Sequence, residues 1–154
     1  MLDTPERLDR SVIGKVAESL ALKRCLREPF RLDVILHRGT EEWDWYPMLV
    51  AIEHENDPRG FADEVRKLAS VRSPLKVGIT YASLPNDDEK TALRNRYHSN
   101  VLNDIRRECR KTAIAEDNAT EYLFLLGEIA PNLVIEWRSL TFHPDADLES
   151  LRFR

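Results

Sequence analysis

The stretch that most constrains how this chain can fold is residues 48–56, MLVAIEHEN, an apolar run that ends abruptly in two glutamates with one residue between them. A run of four to eight apolar residues bounded by polar ones reads as a strand buried on both faces, and residues 48–52 fit. Side chains alternate across a strand, so Glu53 and Glu55 share one face and His54 takes the other. At a rise of about 3.3 Å per residue, the two glutamates are attached about 6 to 7 Å apart. Carboxylates that close repel one another unless a cation lies between them.

A third acid belongs to the same problem. In RLDVILHRG, Asp33 sits inside a second apolar strand, where aspartate is a poor strand former and costly to bury unpaired. If the two strands are neighbours, Asp33, Glu53 and Glu55 converge on an all-oxygen site of the kind that suits magnesium or manganese.

At 154 residues and 42% hydrophobic content, the chain has enough material for one core, which predicts a single domain over 1–154. The N-terminus, MLDTPERLDRS, has no apolar leader pattern, and no apolar run approaches the roughly 20 residues of a membrane span. A cytoplasmic protein without a membrane partner is expected. Cys25 and Cys109 lack any metal-type spacing and read as buried, reduced thiols. A net charge of −4 argues against a surface that grips nucleic acid everywhere, but is compatible with a local basic face.

Along the chain, Thr4-Pro5-Glu6 opens like a helix, and the apolar spacing of Leu8, Val12, Val16 and Leu20 predicts that it runs to about Arg27. Residues 31–37 read as a strand and 39–45 as a polar hairpin connection to the central strand. After the turn cluster 56–60, Phe61, Val65, Leu68 and Ala69 mark a short helix stopped by Pro74, and LKVGITY follows as a strand. Strand, helix, strand in succession favours a parallel pair. A long helix is expected from Asp87 to about Ala113, with Leu93, Tyr97, Val101, Ile105 and Cys109 as its buried stripe. EYLFLLGEIA and NLVIEWRSLTFH then form a hairpin around Pro131-Asn132, and the rest is a short helix or a tail.

This order, helix, strand with Asp, strand ending in Glu-x-Glu, helix, strand, resembles the core of the PD-(D/E)XK nuclease-like superfamily over roughly residues 4–81. The resemblance implies an α/β fold with a restriction-endonuclease-like core (helix, mixed β-sheet, crossover helix, strand), here extended by the long helix and the C-terminal hairpin. It implies a metal-dependent nuclease holding Mg2+ or Mn2+ through Asp33, Glu53 and Glu55, with Glu18 as the first-helix acid that often joins them. Nucleic acid would be the partner, DNA more than RNA, and a homodimer is compatible with it. Glu55 stands where the motif lysine is usual and would serve as a second ligand or a general base. Lys76 on the next strand and Lys67 on the helix are the candidate replacements for that cation, with no spacing rule to choose between them.

Blander readings stand beside these. Glu53 and Glu55 would be hydrated or paired to Arg59 at a strand end, and Asp33 would pair with Arg31 or Arg38. The cluster Arg106, Arg107, Arg110 and Lys111 suits a helix C-terminus as well as a phosphate backbone. Trp43 and Trp45 would pack a hairpin as readily as stack on bases. The absent lysine leaves open a catalytically silent homologue acting as a nucleic-acid- or protein-binding or regulatory module.

Overall fold

The computed structural model describes residues 12–25, 31–39, 47–57, 59–83, 90–112, 120–129 and 134–154. Helix α1 (Val12–Ser19) leads into strands β1 (Lys23–Cys25), β2 (Val34–His37) and β3 (Met48–Glu55). Helix α2 (Phe61–Ser70), β4 (Leu75–Ser83), α3 (Lys90–Thr112), β5 (Glu121–Ile129) and β6 (Ile135–Phe142) follow, then a 3-10 turn at Leu148–Ser150. The expected helix cap at Thr4, the residues Trp43, Trp45 and Asp87, and the turn at Pro131-Asn132 lie outside the described residues.

The strands form one mixed six-stranded sheet whose spatial order follows the chain. β1, β2 and β3 are antiparallel neighbours; β3, β4 and β5 are parallel, with α2 and α3 in the connections; β6 returns antiparallel to β5. The molecule is therefore α/β, with the helix-crossover pair and the closing hairpin where hydrophobic periodicity put them.

The alternation of the strands builds two layers. On the front face, Ile35, Ala51, Tyr122, Phe124, Leu140 and Phe142 pack against Phe61, Val65 and Leu68 of α2 and Val101, Ile105 and Cys109 of α3. Tyr97 completes that stripe from a partly buried position. On the back face, Leu36, Val50, Ile52 and Val77 receive Ala17 of α1. The sheet is thus sandwiched over its first strands, which is why residues 48–52 are apolar at nearly every position.

Two boundaries differ from expectation. The first helix does not run to Arg27. It stops at Ser19 because Ala21 adopts a left-handed conformation (φ 52°), Leu22 N donates to Ala17 O and Ala21 N donates to Glu18 O. That pattern is the Schellman motif, with alanine in the position glycine usually takes, so no glycine flags it in the sequence. A strand, β1, follows within the residues read as helix. Asp33 is also not inside its strand: β2 begins at Val34, leaving the aspartate at the strand entrance.

Candidate functional site

The register of the sheet decides which acids meet. Val34 lies opposite Ile52, so Asp33, one residue earlier, comes alongside Glu53 on the front face. Asp33 Oδ2 accepts a hydrogen bond from the backbone N–H of His54 at 2.8 Å, which fixes its carboxylate at the end of β3. Glu53 points inward beneath α2 and is fully buried, at 0% exposure. Neither of its carboxylate oxygens has a hydrogen-bond partner among the described residues. Among the described residues its one close cation is Lys67, whose Nζ stands 3.5 Å from Oε1, an ion-pair distance too long for a good hydrogen bond.

Helix α2 carries the other half of the cluster. Glu64 and Lys67, one turn apart, face the sheet together, with Lys67 Nζ 2.5 Å from Glu64 Oε2 and 3.4 Å from the carbonyl of Arg31. Burial, above all, pushes the Glu53 carboxyl up to about 9; the Glu64 carboxyl, close enough to share a proton, and the charge of Asp33 push the same way, against Lys67. Two carboxylates this close retain a proton between them when no metal is present. Burial works against the Lys67 charge, but Glu64 and Glu53 outweigh it and hold the ammonium above its usual range. An open groove of about 750 Å³ passes this end of the cluster, lined by Arg31, Asp63, Glu64, Arg66, Lys67 and Ser70.

Glu55 shares the front face with Glu53, but its carboxylate is turned to the start of α2. Oε1 accepts the Asp57 N–H at 2.7 Å, and a Cβ added at Gly60, the residue before the helix, would lie 2.7 Å from Oε2. The missing side chain at Gly60 is what lets Glu55 sit at the positive end of the helix. Glu18 is exposed on α1, the helix that covers the opposite face, so the structure does not bring it to Glu53. The reason is Ala17: its burial against Leu36, Val50 and Ile52 commits α1 to the back of the sheet.

Of the two candidate lysines, Lys67 is the one that lies beside Glu53. Lys76 lies on the front face of β4, buried, with Nζ 3.2 Å from the Tyr122 hydroxyl. His54 projects to the back, edge-on to Tyr81. Arg59 pairs with Asp57 rather than with the glutamates, and Asp33 is held by the backbone of His54. The clustered arginines near the end of α3 serve the fold: Arg106 donates to the carbonyls of Leu148 and Glu149, Arg110 pairs with Glu149, and Arg107 pairs with Asp104 and Glu108.

Comparison of the chain with protein-family models, curated proteins and solved structures finds no match. The site must be read from its own chemistry. Among the described residues, no three His, Cys, Asp or Glu side chains form a ready-made metal cage. Asp33, Glu53 and Glu64 nevertheless offer only oxygen donors, and Glu53 is fully buried among them. That donor set fits a hard divalent cation. Glu64 escaped sequence reasoning because it sits on a helix outside the Glu-x-Glu stretch; its signal was the i, i+3 spacing to Lys67.

Proposed function

We propose that this chain is a metal-dependent phosphodiester hydrolase acting on nucleic acid, DNA before RNA. The observation that carries the reading is Glu53: a fully buried carboxyl approached by Lys67 only at an ion-pair distance of 3.5 Å and flanked by two further acids, Asp33 and Glu64. A buried acid in that state lowers stability unless a proton or cation joins it. The order of an antiparallel pair, a crossover helix and a parallel strand supports a restriction-endonuclease-like core. Magnesium or manganese, held by Asp33 and Glu53 with Glu64 in reach, would supply charge neutralisation at the phosphate and acidify water.

The residues of the chain do the rest. Glu53 surrenders its proton when the site is loaded, so affinity rises with pH below about 9. Lys67, held protonated by its two carboxylates, provides the cation that the Glu-x-Glu motif lacks. Glu55, fixed at the N-terminus of α2, braces the turn that follows the strand.

The test joins metal binding to activity. Millimolar manganese should raise the melting temperature of the wild type beyond a sodium control of equal ionic strength, by about 2.7 kcal/mol in stability at a hundredfold excess over its dissociation constant. Asp33→Asn should gain little, and should lose the manganese-dependent cleavage of single- or double-stranded DNA that the wild type shows. Equal shifts in the two proteins would remove the physical basis of the reading.

A second reading has its own observation. Lys67 already lies against Glu64 and Glu53, so the cluster carries an internal counter-charge. In a silent binding module that pair would be the final state of the site. Manganese would then leave the melting temperature where sodium does, while nucleic-acid or protein binding persisted.

A further inference from the structure

Arg31 is one of two non-glycine residues held at positive φ among the described residues, at 63°. Its carbonyl accepts from Lys67, so the left-handed turn ties the entrance of β2 to α2 beside the carboxylates. Glycine would make that turn without strain, since the bond uses only the backbone. The turn itself makes no use of the arginine side chain. It is exposed, and no hydrogen bond or ion pair engages its guanidinium among the described residues. The carboxylate nearest in sequence, Asp33, turns its Oδ2 to the His54 N–H. The groove it lines continues along α2 to Lys67 and Ser70.

We infer that Arg31 is the phosphate-binding residue of this site, and that the groove between the entrance of β2 and helix α2 carries the backbone of a nucleic-acid strand past Glu64 and Lys67. The inference rests on the nuclease-like reading of the carboxylates and adds the path of the substrate. The groove offers three cations but unequal ones: Arg66 is engaged by Asp63 and Glu108, and Lys67 by Glu64 and Glu53. Arg31 keeps its planar, five-donor fork for a phosphate. A backbone contact of this kind carries no base information, so it predicts affinity without sequence preference.

The experiment compares the full-length wild type with Arg31→Gly and Arg31→Lys, reading the anisotropy of a labelled DNA oligonucleotide in calcium, which replaces magnesium to suppress turnover, across a salt series. Arg31→Gly should melt no lower than the wild type, because strain is relieved, yet bind about tenfold more weakly, with a salt slope smaller by about one phosphate contact. Arg31→Lys should fall between them. Wild-type affinity in Arg31→Gly overturns the inference, as does a lowered melting temperature, which would make the arginine structural. A wild type that binds no DNA at low salt also overturns it. Manganese stabilisation that depends on Asp33 is measured separately, so the carboxylate site and the strand path stand or fall on different data.

Discussion

Burial, more than any neighbour, raises the Glu53 carboxyl. With its carboxyl pushed up to about 9, against 4.5 ordinarily, the native state keeps a proton that the unfolded chain has released over that interval. Stability from this group is complete below about pH 4.5 and is lost as pH rises towards 9, at up to about 1.4 kcal/mol per pH unit. Glu53→Gln keeps the shape and removes the titration. The variant should match the wild type near pH 5 and exceed it increasingly up to pH 9 in metal-free urea unfolding; a difference that stays constant with pH would sink this account. At this scale the sequence was partly legible. Asp33 and Glu53 could be paired from apolar runs because a sheet register joins them. The choice between Lys67 and Lys76 could not be made, since it depends on how α2 lies across β3, which no local spacing encodes.

At the scale of elements, the end of α1 shows how a helix can stop without a lexical signal. Ala21 in the left-handed region costs about 1 kcal/mol relative to a conformation it prefers, and Leu22 N to Ala17 O recovers an otherwise orphaned carbonyl. Ala21→Gly should therefore stabilise the protein by about 0.5 to 1 kcal/mol in urea unfolding. A loss of stability would mean that the left-handed turn is not populated. The elements with strong periodicity, α2, the α3 stripe and the β5–β6 hairpin, were readable because burial on one face repeats at 3.6 or 2 residues. β1 was not, because three residues are too few to show a period. Asp33 was read into β2 because an apolar run does not reveal where its ladder begins.

Across the whole molecule, the front layer depends on a gap in the sheet. A Cβ on Gly78 would lie 2.5 Å from Phe124 Cδ1 and 3.2 Å from Phe61 Cζ, so the glycine admits the edge-on aromatic pair that joins α2 to β5. Gly78→Ala should cost about 1 to 3 kcal/mol, because both rings are buried and have nowhere to retreat. A neutral result in thermal and urea unfolding would show that the layer yields more easily than its packing implies. The strand order carries a further consequence, for the history of the molecule rather than its rest state. Each strand docks on the one made just before it, so no segment has to be threaded between partners already joined. Asp33 at the entrance of β2, Glu53 of β3, and Glu64 and Lys67 of the first crossover helix all precede the aromatic strands β5 and β6 in the chain. A ribosome releasing this polypeptide would complete β2, β3 and the first crossover helix, and with them every residue of the carboxylate cluster, before β5 and β6 exist.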